Sequence, residues 1–141
     1  MLCLTLIIFV AENQEKLKKQ LKLFLDNKDV GMTKDQYLMM CEQTGEEIDW
    51  ERCPADWEDF PDLVWETVDI YNSLGDRIFP DVGYVGKDFT NLQFIFKMRK
   101  TPNHEKEIIF DLILWLDARN IKLSQEKLKA EHAKIKQKHG R

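Results

Sequence analysis

Cysteine, histidine, proline and glycine are all scarce in this chain of 141 residues, at three, three, four and six copies. Cys3, Cys41 and Cys53 cannot all pair with one another, and their spacing is not that of a secreted disulfide framework. Three reduced thiols in a cytosolic setting are expected. There is no CxxC, and no histidine lies near a cysteine, so no zinc or other metal site is expected. No apolar run approaches the ~20 residues that a membrane span requires, and no membrane partner is expected. The longest apolar run, residues 2–11, lacks both the basic flank and the small-residue cleavage site of a signal peptide.

Reaction centres are equally sparse. Gly83-Tyr84-Val85-Gly86-Lys87-Asp88 superficially resembles a phosphate loop, but the glycines are three apart and Asp88 stands where Ser or Thr is needed. A carboxylate there repels phosphate. The stretch reads better as a turn in which Asp88 caps a helix. The paired carboxylates Glu46-Glu47 and Glu58-Asp59 sit in an acidic run with no companion base or nucleophile. His104, His132 and His139 are near no serine or cysteine in sequence. Neither enzymatic activity nor a cofactor is expected.

What the chain does have is ordered punctuation. Every glycine and proline falls between apolar-periodic segments and none interrupts one. Residues 12–28 form an amphipathic pattern with Leu17, Leu21, Phe24 and Leu25 on one stripe. Thr33 and Gln36 fit a capping box that opens a short helix presenting Tyr37, Leu38 and Cys41 and ending at Gly45. Pro61 starts a helix to Leu74, and residues 76–88 read as a loop or irregular hairpin. Asp88 or Thr90 is expected to cap a helix through Met98 with Leu92, Ile95 and Phe96 inward. A helix over about 102–118 is apolar round most of its circumference and reads as the central one, exposing only His104, Glu107, Asp111 and Ala118. Ser124 is expected to cap a separate, charged last helix to about Lys138.

The fold class is therefore mainly α. A small irregular helical bundle is expected, with a projecting basic C-terminal helix and a short strand as one reading of the N-terminus. Residues 1–11 read either as that strand or as the first turn of a helix. Alternatively, residues 1–31 are an extension upstream of a natural start at Met32. The corresponding division is 1–31 extension, 32–121 helical core and 122–141 basic helix.

A formal net charge of −4 conceals a division along the chain. Residues 35–69 hold twelve acids against one base, Arg52, for a net of −11. Residues 119–141 hold eight bases against two acids, for a net of +6. Such asymmetry points to interaction surfaces or to attraction between the segments. The candidates for partner binding are Trp50, Trp57, Glu58 and Asp59 in the acidic loop and Lys127, Lys134, Lys136 and Lys138 in the basic tail. The loop tryptophans either pin that loop to the body or anchor a partner, whereas Trp65 and Trp115 fall within helices and read as core. Lysines without interleaved aromatics would give weak, salt-sensitive, sequence-blind contact with nucleic acid. The tail could equally dock on an acidic face of another protein or of a second copy, building rings or filaments.

Three short motifs and the ending carry a resemblance. Tyr37-Leu38-Met39-Met40-Cys41-Glu42-Gln43, Asp59-Phe60-Pro61 and Gly86-Lys87-Asp88-Phe89, with the lysine-rich terminus, resemble a group of small uncharacterised proteins of tailed bacteriophages. The likeness covers about residues 32–141 and leaves 1–31 outside. No activity is established for that group, so no catalytic residue carries over. The resemblance implies a phage origin and, by association, a place among virion-assembly genes. The expected function is a non-enzymatic accessory or assembly factor in the host cytoplasm or virion, working through contacts with other phage or host proteins. The alternatives are a DNA-contacting packaging component and an inhibitor of a host nucleic-acid enzyme that uses the acidic segment 35–69.

Overall fold

The computed structural model describes residues 14–27 and 31–140, except for the side chains of Asn27 and Trp57. The expected N-terminal strand lies outside the described residues. The chain divides into two compact units, with the boundary between Asp62 and Leu63.

The first unit contains α1 (Gln14–Asn27), α2 (Lys34–Thr44) and a single 3-10 turn (Trp57–Asp59). Leu17 and Leu21, one turn apart on α1, are both buried, and Phe24 meets Phe60 edge-on with ring centroids 5.5 Å apart. The capping box on α2 is formed as expected. The Gln36 N–H donates to Thr33 Oγ1 at 3.2 Å, and the Thr33 N–H donates to Gln36 Oε1 at 3.0 Å. Each bond satisfies a donor that the helix start leaves without a partner. Gly45 closes α2 in the left-handed region, at φ 70°.

The second unit contains α3 (Asp62–Ser73, whose first residue precedes the boundary), β1 (Asp76–Phe79), β2 (Gly83–Lys87), α4 (Leu92–Met98) and α5 (Asn103–His139). Its buried apolar residues are Leu63, Val64, Ile70 and Leu74 of α3 and the turn after it, Leu92 and Phe96 of α4, and Ile109, Leu112, Ile113 and Leu116 of α5. Fully burying each such side chain contributes about 1.5–3 kcal/mol. Thr67 is buried among them without penalty, because its hydroxyl donates to the Leu63 carbonyl at 2.7 Å.

β1 and β2 form an antiparallel hairpin that pairs Asp76 with Lys87, Arg77 with Gly86, Ile78 with Tyr84 and Phe79 with Gly83, with an irregularity after Arg77. All of β1 is exposed. A two-stranded hairpin is marginal alone, and this one rests β2 on α5.

The architecture is mainly α with a long C-terminal helix, as the sequence indicated, but four details are corrected. First, α5 runs for 37 residues with no end at Ala118 and no restart at Ser124. No glycine or proline interrupts 103–139, and the polar residues that suggest a boundary serve instead to hold the hairpin. Second, Phe110 and Leu114 are exposed, because the buried face of α5 runs through Ile109, Leu112, Ile113 and Leu116. Third, Asn91 rather than Asp88 or Thr90 occupies the cap position of α4, without a side-chain cap bond. The Asp88 carboxylate instead accepts from the Thr90 hydroxyl at 2.5 Å and its N–H at 2.9 Å, closing the preceding turn. Fourth, Ile95, Trp65 and Trp115 are only half-buried.

Candidate functional site

Three polar side chains occupy one face of α5: Asp117, Asn120 and Ser124, at i, i+3 and i+7. Ile121 stands between them on the same face. Asp117 is buried, yet its carboxylate is well satisfied. Tyr84 of β2 donates its hydroxyl to Asp117 Oδ1 at 2.6 Å. The backbone N–H of Lys87 donates to the same carboxylate, at 3.1 Å to Oδ1 and 3.3 Å to Oδ2. Tyr71 of α3 completes the set, with its hydroxyl 3.2 Å from Asp117 Oδ1 and 2.9 Å from the Tyr84 hydroxyl. The Asn120 amide donates to the Tyr71 hydroxyl at 2.9 Å, and Ser124 Oγ accepts from the Tyr84 N–H at 3.3 Å. Ser124, expected to cap a helix, therefore holds a strand.

Gly86 permits this approach. A Cβ at that position would lie 2.9 Å from Asp117 Oδ2, and the backbone φ of +122° is one that L side chains rarely adopt. Lys87 is drawn in alongside. Its Nζ lies 2.6 Å from Asp76 Oδ1, donates to the Leu74 carbonyl at 3.2 Å and sits 4.8 Å from the Tyr71 ring centroid. The buried ammonium thus has a counter-ion, a carbonyl and an aromatic face in place of water.

Removal from water pushes both phenols up from their ordinary value. For Tyr84 the accepting Asp117 carboxylate reinforces the effect of burial. For Tyr71 burial again leads, partly offset by the hydrogen bonds it shares with the Tyr84 hydroxyl and the Asn120 amide. The cluster borders a shallow depression of about 320 Å³ lined by Tyr71, Asp76, Tyr84, Lys87, Asn120 and Ser124. Its donors are committed to internal acceptors, so the arrangement clamps α3, the hairpin and α5 together.

The residues singled out from charge and aromaticity lie elsewhere. Trp50, in the acidic loop, is 67% exposed. The side chain of Trp57 lies outside the described residues, and Glu58 is exposed. Asp59 is engaged within its own unit. It takes both oxygens to Lys34 Nζ at 2.9 Å and accepts from the Asp56 N–H at 2.8 Å. The Asp56 N–H, then Lys34, hold its carboxyl below the usual carboxylate range. Lys127, Lys134, Lys136 and Lys138 are all exposed, and from residue 129 to 139 every side chain of α5 is exposed. Trp50 also lines a groove of about 310 Å³ with Leu23, Cys53 and Pro54, bordered by Glu51 and Arg52.

The sequence reading missed the Asp117 cluster altogether. Its signal was present: polar residues at i, i+3 and i+7, with Ile121, on one face of a helix that follows a Gly-Tyr-x-Gly-Lys strand. Among the described residues, no group of three or more His, Cys, Asp or Glu could hold a metal ion. No described helix is long and apolar enough to cross a membrane. Comparison with known proteins finds no matching family, no similar curated protein and no similar solved structure.

Proposed function

We propose that this chain is a non-enzymatic accessory or assembly protein of a tailed bacteriophage, acting by protein–protein contact in the host cytoplasm or virion. The observation that carries the reading is the division of α5. Its first half supplies much of the buried core, whereas residues 129–139 are all exposed and present lysines. A charged helical end of eleven residues has little stability of its own, and its surface is available to a partner without disturbing the fold. The exposed Trp50 within the acidic segment supports the same reading, since aromatics are enriched where interfaces concentrate their energy. The test is to mix the full chain with purified head and tail proteins of the same phage and follow sedimentation and tryptophan emission. A complex that weakens with salt is expected. A monodisperse monomer that binds none of them contradicts the proposal.

One observation favours contact with DNA as a second reading. The distal lysines lie on more than one side of the helix with no aromatic among them, which suits phosphates rather than bases. Removing residues 125–141, which spares Ser124, would then abolish binding to duplex DNA at low salt. An absence of binding by the intact chain ends this reading.

A further inference from the structure

The hairpin has two edges, and only one of them is closed. On β2 the outward backbone N–H groups of Lys87 and Tyr84 are capped from α5, by the Asp117 carboxylate at 3.1 Å and by Ser124 Oγ at 3.3 Å. Capping of this kind keeps a strand edge from pairing with another chain. On β1 the carbonyls of Gly75 and Phe79 face β2, where they accept from the N–H groups of Asp88 at 2.8 Å and Val82 at 3.3 Å. Strand alternation therefore turns the N–H and C=O of Asp76 and Ile78 to the opposite edge. Among the described residues no third strand joins the sheet, and all four residues of β1 are exposed.

That open edge is also apolar. Ile78 is 67% exposed and Phe79 54%, and Val82 beside them is exposed too. The Asp76 charge is already met by Lys87 Nζ at 2.6 Å. Arg77 is the charge that a partner strand would meet, and its Nη2 makes only a long contact, 3.4 Å, with the Val85 carbonyl.

The identity of these residues selects both the partner and the register. Two copies related by a two-fold can pair through Asp76 and Ile78 in three antiparallel registers. Asp76 opposite Asp76 brings two carboxylates together. Asp76 opposite Ile78 brings Arg77 opposite Arg77. Like charges directly opposite are destabilising. Ile78 opposite Ile78 avoids both: the two isoleucines exchange both N–H···O=C bonds, and Arg77 falls opposite a phenylalanine ring, which attracts its guanidinium.

We infer that β1 pairs antiparallel with β1 of a second copy, with Ile78 opposite Ile78 and Arg77 opposite the second copy's Phe79. The surface is self-complementary, as a two-fold dimer requires. Pairing converts two marginal hairpins into one four-stranded sheet whose outer edges are closed by Asp117 and Ser124 of each α5. This goes beyond the proposed accessory role and does not involve the basic end of α5.

The test is sedimentation of the full chain against concentration. The contact is short, so a weak dimer is expected, half-formed at about 0.1 mM. It should change by less than about threefold between about 50 and 500 mM salt, because its bonds are not ionic. Ile78→Pro removes an N–H that the hairpin does not use, which an edge strand tolerates, and should weaken association at least about tenfold. Ile78→Lys keeps that N–H but sets two ammonium groups opposite each other, and should do the same. Arg77→Ala should weaken association about fivefold, since the two-fold counts the loss twice. Circular dichroism should show all three variants folded. Lys134→Glu/Lys136→Glu/Lys138→Glu should associate as the native chain does, and the Ile78 amide should exchange at least about tenfold more slowly in the dimer.

A native chain that stays monomeric up to about 1 mM overturns the inference. So do Ile78→Pro and Ile78→Lys proteins that associate as well as the native chain. Association lost in the lysine reversal but kept in Ile78→Lys also overturns it, and puts the contact on the basic end of α5. None of these results touches the accessory reading, which stands or falls by its own mixing with head and tail proteins.

Discussion

The two halves of α5 obey different rules although one unbroken helix contains them. From Ile109 to Asp117 the residues are chosen by what they touch: Ile109, Leu112, Ile113 and Leu116 are buried in the core and Asp117 holds the hairpin. From 129 to 139 every side chain is exposed, and lysine, glutamate and alanine favour the helix by propensity and solvation. The comparison teaches that continuity of secondary structure is no guide to continuity of role. Substitutions in the first half should be read out as stability, and those in the second as association.

Substituting isoleucine in each half sharpens this contrast most. Ile113→Ala empties a site with no solvent exposure and should cost about 2–5 kcal/mol. Ile135→Ala, on the exposed end, should change stability by no more than about 0.5 kcal/mol. Chemical denaturation of both variants measures the difference, and equal effects would dissolve the distinction.

The next largest effect belongs to the clamp. Asp117→Ala leaves the Lys87 N–H and the Tyr84 hydroxyl without their acceptor and should cost about 2–3 kcal/mol. Tyr84→Phe removes one donor and leaves the carboxylate its other partners, so about 1 kcal/mol is expected. Gly86→Ala should fall between them, at about 1–3 kcal/mol, because it brings both a disfavoured φ and a Cβ against Asp117. A Gly86→Ala protein as stable as the native one would mean that β2 does not need its close approach to α5.

The smallest expected effect is alkaline. Tyr84 and Tyr71 both titrate higher in the folded protein than in the unfolded chain. Their contribution is complete below the ordinary tyrosine value near 10 and is lost as pH climbs through the raised folded values. Stability should therefore hold up to about pH 10 and decline above it, with the decline shallower in Tyr84→Phe. Phenolate absorbance should show these two tyrosines ionising only as the second unit opens.

Much of the fold was legible because local chemistry decided it. The Thr33–Gln36 box satisfies two orphan donors at the start of α2, Gly45 adopts the left-handed conformation that ends it, and Pro61 and Pro102 precede α3 and α5 with no N–H in need of a partner. The error at 118–124 has a physical source. Asp117, Asn120 and Ser124 compete with the helix backbone in isolated sequence, so they read as an interruption. In the folded chain their hydrogen-bonding capacity is taken up by Tyr84, Lys87 and Tyr71, which lie 30 to 49 residues away. No local rule could count those partners. The charged segments were legible as composition, whereas the exposure of Trp50 is a property of the folded chain alone.

Amide hydrogen exchange along α5, read in dilute protein and again after association, tests the division of the helix most directly. The account predicts that amides around Ile109–Leu116 are protected in both states, while those from about 129 to 139 exchange quickly in dilute protein and slow markedly once a partner is engaged. Equal protection of both halves in dilute protein, or a distal half that stays fast in every assembled state, would contradict it.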